Sequence, residues 1–281
     1  MKVYIAGFRG GQLVHMNRLP KNLPVLASYA YMGHIKQSRV LTDDLLIDSG
    51  AYSVSTSKAG IDIDAYCNFL KGETFTTYVS LDVIGDGLAS KDNYDYMCKK
   101  ELSPIPVFHH KDPWWVLDYY LDRAQHIGIG GVARTSSTAV RAPFLDKVWN
   151  RIYQRGGKLP RVHGFGTTAR TIIQRYPWYS VDSTSWQVGS RFGMIMLPNG
   201  KMFRVAHNSP EHWRRSFDRH ISVLNNVSRE ALQSYLAEKD FTLDEVMQDD
   251  KARNTWNILV LEDIGRVTKK PAYHTLTLFD D

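Results

Sequence analysis

Cysteine is almost missing from this chain: Cys67 and Cys98 are the only two among 281 residues, and they form no Cys-x-x-Cys pair. That scarcity excludes a structural zinc site of thiolates and leaves no basis for a disulfide framework. Long apolar runs are missing too. No stretch reaches the roughly 18 apolar residues of a membrane span, and the run after Met1 is too short for the core of a signal peptide. The expected compartment is therefore the reducing cytoplasm. Charge of one sign is present in only modest excess: the net charge is +6 and the pI is near 9.1, which permits a polyanionic partner without requiring one. Internal repeats and low-complexity linkers are absent. The turn Gly7-Phe-Arg-Gly-Gly11 lacks the Walker spacing and its final Lys-Ser/Thr, so it reads as a turn and not as a phosphate cradle.

What is present is a large stock of core formers, 43% hydrophobic and 12% aromatic, more than a disordered chain carries. Strand-like segments fall at residues 3–6, 45–47, 78–83, 105–108, 127–133, 161–166, 179–181 and 192–196, the last entering a hairpin through Pro198-Asn-Gly-Lys201. Residues 23–32 are apolar without a clear period. Between the strands, Asp62, Ser90, Asp112 before Pro113, and Thr167 mark helix starts. From Ser209 onward the pattern is helical, with starts at Ser209, Ser228 and Thr242 that each carry an acidic first turn. Eight strands separated by helical crossovers predict an α/β fold, a (β/α)8 TIM barrel over residues 1–208 with a helical C-terminal extension, 209–281, packed on it. A doubly wound open sheet is the alternative arrangement of the same elements.

Three of the apolar segments deliver an aspartate: Asp48 after Leu45-Leu-Ile, Asp82 after Tyr78-Val-Ser-Leu, and Asp182 after Tyr179-Ser-Val. Asp often caps the turn that follows it, which accounts for any one of them alone. Three together predict one pocket at the carboxyl edge of a parallel sheet, where α/β folds place their chemistry. Two carboxyls in a water-poor pocket divide labour, one ionised and one shifted toward acid or base work. Of His109-His110, strand alternation lets one side chain enter the pocket. His163 is a second imidazole nearby in the motif order, but no zinc spacing is met and no metal is expected. Gly128, Gly130, Gly131 and the run His163-Gly-Phe-Gly166 either relieve crowding or admit a flat ligand to the backbone amides. The basic residues Arg134, Arg141, Arg151, Arg155, Lys158, Arg161, Arg170 and Arg175 form either a solvated surface or a face that tracks phosphates.

Taken in order, Asp48-Ser-Gly-Ala-Tyr-Ser53, Ser80-Leu-Asp-Val83, Gly130-Gly-Val-Ala133, His163-Gly-Phe-Gly166 and Ser180-Val-Asp-Ser-Thr184 resemble motifs of the tRNA-guanine transglycosylase superfamily. The likeness is greatest to its compact, phage-borne branch, proposed to exchange guanine in DNA for a 7-deazaguanine base. It runs from about Leu45 to Trp186. The resemblance implies a (β/α)8 barrel and a double displacement at a nucleoside C1′ through a covalent aspartyl-glycosyl intermediate. By motif it implies Asp182 as the nucleophile, Asp48 as the general acid/base and Asp82 as the carboxylate that meets the guanine edge. Tyr52 would stack on the base, Gly130 and Gly131 would meet it through backbone amides, and His163 and Gly164 would line the opposite side. Ser49, Gly50 and His109 complete the implied substrate site.

The implied partners are DNA and a free, preQ0-like 7-deazaguanine, with no cofactor and no membrane, in the host cytoplasm if the chain is phage-encoded. Two departures matter. The tRNA enzymes carry a cysteine-rich zinc region, whereas no cysteine follows Trp186 here, which favours DNA over tRNA. Where those enzymes place a glutamine after the fourth strand this chain has His109-His110, which leaves the incoming base open. An RNA-directed transglycosylase, a retaining barrel glycoside hydrolase and a non-catalytic nucleic-acid-binding barrel are the competing readings.

Overall fold

The computed structural model describes residues 1–51, 60–131, 138–167, 169–210 and 220–267. Among them, seven strands form one parallel, curled sheet: β1 (Lys2–Ala6), β2 (Val25–Ser28), β3 (Leu45–Asp48), β4 (Val107–His109), β5 (His126–Gly130), β6 (Arg161–Gly164) and β7 (Ser180–Ser183), in the order β3-β2-β1-β7-β6-β5-β4. The fold is thus α/β and TIM-barrel-like. Between the edge strands β3 and β4, Tyr78 makes a single parallel bridge to Ile47, and Val79 makes one to Ile105.

A period of two explains the core. Val3, Ile5, Val25, Leu45, Ile47, Phe108, Ile127, Ile129, Val162 and Val181 face the surrounding helices. The alternate positions Tyr4, Ala6, Leu26, Leu46, Val79, Ile105 and Val107 gather on the concave side as a second apolar cluster, with Phe165 against it. Strands buried on both faces read as unbroken apolar runs, which is how parallel sheets are built.

Three expected elements differ. Residues 192–196 do not supply an eighth strand to the main sheet: β8 (Met194–Met196) pairs antiparallel with β9 (Met202–Arg204) in a separate two-stranded sheet, turning through residues 198–201 as expected. The reason lies in the last described helix, Asp250–Val267. Its Asn257 Oδ1 accepts the Met196 N–H at 2.6 Å and its Trp256 indole donates to the Met196 carbonyl at 2.9 Å, so side chains take the backbone groups that a barrel neighbour would need. Residues 25–28, apolar without a readable period, are instead a strand of the main sheet. The segment expected over 78–83 is reduced to its two bridges, because Ser90 and Asn93 of the helix Gly87–Lys99 hydrogen-bond the Val83 N–H and the Leu81 carbonyl.

Helix starts follow local chemistry. Asp62 accepts the Ala65 N–H at 2.7 Å and Thr242 closes a capping box with Glu245. Asp86, not Ser90, caps Gly87–Lys99. The buried face of Ile63–Gly72 is Tyr66, Cys67 and Leu70. The helix expected from Ser209 falls largely outside the described residues. The helix Asp250–Val267 lies against β1, β8 and the short helix Ser185–Arg191, with Trp256 fully buried. Its Asn254 and Thr255 side chains donate to the carbonyls of Gln12 and Val14. No described helix is long and apolar enough to cross a membrane.

Candidate functional site

The concave-facing register that carries Leu26, Leu46 and Val107 carries Ser28, Asp48 and His109 two residues later, at the carboxyl ends of β2, β3 and β4. The same alternation brings Gly130 to the end of β5 and Asp182 near the end of β7. The sheet thus gathers the chemistry-bearing residues at one pole, above the apolar cluster.

Asp182 is buried and held by two groups. Its Oδ1 accepts the Gly166 N–H at 2.8 Å and lies 3.3 Å from His163 Nε2. His163 is fully buried, with Nδ1 2.8 Å from the Ser180 hydroxyl. One tautomer serves both contacts, Nε2–H donating to Asp182 while Nδ1 accepts from Ser180. His163 is thus a fully buried partner of Asp182. Gly164 is likewise internal: a Cβ there would come within 3.0 Å of the Trp178 ring.

Asp48 sits in a tight turn. Its Oδ2 accepts the Gly50 N–H at 3.0 Å, and Gly50 adopts φ +84°. A side chain at Gly50 would strike Ala30 and the Ser28 hydroxyl at 2.5–2.6 Å, so glycine is required by both conformation and space. Ser49 is buried behind the turn, its hydroxyl accepting the Ala51 N–H at 3.4 Å. Burial pushes the Asp48 carboxyl up to about 6; the Gly50 hydrogen bond opposes this, and the charge of Asp182 adds to it. That Asp182 acts on Asp48 places the two in one electrostatic environment.

Asp82 occupies the loop beyond Val79 and is pushed up to about 7, first by burial, with His109 lowering it and Asp48 and Asp112 raising it. Its Oδ2 lies 3.6 Å from His109 Nε2, while its Oδ1 is buried without a hydrogen-bond partner. Burial works against a charge on His109, but Asp112 and Asp82 outweigh it and raise the imidazole above its ordinary value. His109 takes the pocket side and His110 the solvent side, as strand alternation requires. The His109 ring covers Gly130, where a Cβ would meet it at 2.7 Å. Gly131 is exposed, with φ +74°. Tyr52 and Arg134 lie outside the described residues.

Sequence reasoning missed two contributors. Ser28 stands beside Asp48 in register, its hydroxyl buried and unpartnered. Nothing in the aperiodic run around it announces a strand. Asp112, expected to cap the helix Trp114–Arg123, does not: Pro113 is the N-cap residue, and Asp112 Oδ2 accepts the His109 N–H at 2.8 Å. Asp-Pro at a helix start resembles a cap in sequence, and only the fold of the preceding loop turns the carboxylate back.

Among the described residues no group of His, Cys, Asp and Glu is arranged to hold a metal ion. Of the expected basic face, Arg151 and Arg155 pair with Asp118, Arg175 pairs with Asp146, and Arg161 lies over the Tyr179 ring at the opposite end of β6. A shallow depression of about 290 Å³ on the helical surface is lined by Trp114, Lys147, Asn150, Arg151 and Gln154, and by none of Asp48, Asp82 and Asp182. No protein-family model matches the chain, and no curated protein matches it.

Proposed function

We propose that the chain is a guanine transglycosylase acting on DNA, exchanging guanine for a free 7-deazaguanine base by double displacement. The observation that carries this reading is the unlike pair at the sheet's carboxyl pole. Asp182 is oriented by two N–H groups, and Asp48, beside it electrostatically, is raised to about 6. Paired carboxyls whose environments push them apart divide into nucleophile and acid/base. Asp182 attacks C1′ as the bond to guanine breaks, and Asp48 gives a proton to the departing purine. The incoming base then displaces Asp182 and returns a proton to Asp48, so protons and bonds balance over the cycle. Asp82, with its unpartnered oxygen, meets the polar edge of the base. A base inside duplex DNA reaches such a pocket only when flipped out of the stack.

The reading carries an architecture with it. The single bridges of Tyr78 and Val79 between the two edge strands support a (β/α)8 barrel, with the described helices from Asn226 to Val267 added to it. Incubation with labelled guanine and either duplex DNA or tRNA tests the function. Label is expected in DNA. Label in tRNA alone would replace the DNA reading with the RNA-directed one, and release of free sugar without incorporation would replace both with a hydrolase.

A further inference from the structure

Asp112 is a buried carboxylate with no role in capping its helix. Its Oδ2 accepts the His109 backbone N–H at 2.8 Å and lies 3.5 Å from His109 Nδ1. Its other side presses on Gly87, where any Cβ would fall 2.5 Å from the Asp112 carboxyl. The helix Gly87–Lys99 therefore begins with a residue that makes room for this carboxylate. On the far side of the imidazole, Nε2 faces Asp82 Oδ2 at 3.6 Å, and Asp82 Oδ1 is buried and unpartnered. The three groups form a line, carboxylate–imidazole–carboxylate, that ends on a free oxygen.

We propose that Asp112 is a positioning residue: it holds the His109 imidazolium against Asp82, and that charge shifts Asp82 toward its ionised form, in which Oδ1 accepts N–H groups of a ligand. The proposal rests on the reading of Asp82 as part of the base pocket and adds the device that fixes its polarity. A buried carboxyl left alone holds its proton near neutrality and then offers an O–H. An imidazolium beside it reverses that preference. The charged groups that reach His109 are Asp112 from its own loop and Asp82 from the loop after Val79. Gly130 of β5 presents only backbone, and the Tyr120 hydroxyl of Trp114–Arg123 lies within the influence of both carboxyls. Asp112 also acts on Asp82 directly with its own negative charge, which opposes ionisation, and this effect is smaller than that of His109.

The test measures His109 by NMR titration in the full chain, in the wild type, in Asp112→Asn and in Gly87→Ala, which pushes the carboxylate aside without removing it. The His109 titration is expected to fall by about 1–3 pH units in Asp112→Asn, the usual effect of losing an adjacent opposite charge, and to move the same way in Gly87→Ala. In guanine exchange the KM for guanine in Asp112→Asn exceeds the wild-type value most near pH 7, and the excess shrinks as pH rises and Asp82 ionises in both proteins, with kcat changed far less; in a His109→Gln background Asp112→Asn adds no further rise. An unmoved His109 titration in a folded Asp112→Asn protein overturns the proposal. If wild type shows no exchange, the transglycosylase reading fails, and the titration still decides the role of Asp112.

Discussion

Two aspartate–histidine pairs lie at the carboxyl pole of the same sheet, and they are built in opposite ways. In the Asp182–His163 pair the imidazole is fully buried, bonded to a hydroxyl on one side and a carboxylate on the other, and the carboxylate takes a further backbone N–H. In the Asp82–His109 pair the imidazole sits between two carboxylates, at 3.5 and 3.6 Å, and one carboxylate oxygen is left free. The first arrangement uses hydrogen bonds and fixes direction. The second uses charge at longer range and shifts protonation. A nucleophile needs the former, since it must meet one carbon along one line; a recognition group needs the latter, since its donor or acceptor character selects the ligand.

The largest expected effect separates Asp182 from every other residue. Asp182→Ala abolishes both exchange and any protein–DNA adduct retained on a denaturing gel. An adduct formed by the variant but not by wild type would remove Asp182 from the nucleophile's place. Asp48→Asn is next, slowing exchange by about 10²–10⁴-fold, the usual worth of acid/base help, while DNA binding persists. The same variant carries an opposite effect on stability. An aspartate raised from 3.8 to about 6 binds more protons folded than unfolded, so its contribution declines as pH rises through that window. Asp48→Asn is therefore expected to be more stable than wild type at pH 8, by at most about 3 kcal/mol, and to gain nothing at pH 3. Denaturant melts at the two pH values check this.

Changing the two histidines sharpens the comparison. His163→Ala leaves the Ser180 hydroxyl buried without its partner and should cost about 1–3 kcal/mol for that group, in addition to the lost packing. His109→Gln should cost little in denaturant melts yet raise the KM for guanine. Equal losses of stability in both variants would erase the distinction drawn here. The smallest effect on the ligand tests the floor beneath these residues: Gly128→Ala drives a methyl to 2.5 Å from the Phe165 ring, an overpacking that costs about 1–3 kcal/mol of stability and should leave the ligand's pH dependence unchanged.

Much of this pole was legible in the chain itself. Asp48 and Asp182 follow short apolar runs, and a run buried on both faces needs no alternation to be recognised, so strand and terminal carboxylate are read together. Asp82 was legible in the same way, although the strand before it shrinks to two bridged residues. Residues 194–196 were misplaced because three apolar residues look alike whether a sheet neighbour or the Asn257 side chain takes their backbone. Ser28 and Asp112 could not be found from local pattern. Each acquires its role from a residue brought to it by the fold: Asp48 across a strand pair for Ser28, and Gly87 at a distant helix start for Asp112.

The order in which the chain leaves the ribosome has a cost set by β1. This strand is made before the other strands of its sheet, yet it lies between β2 and β7 and is covered by the helix Asp250–Val267. At roughly 5–20 residues per second, its second neighbour is delayed by about 10–35 s and its helical cover by more. During that interval Val3, Ile5 and the Trp186 indole's acceptor, the Ala6 carbonyl, have no native partners on that side. Such dependence on distant sequence slows folding and lengthens exposure of an apolar edge. A nascent chain stalled before residue 250 would therefore hold the pocket's aspartates and still lack the cover that seals its central strand.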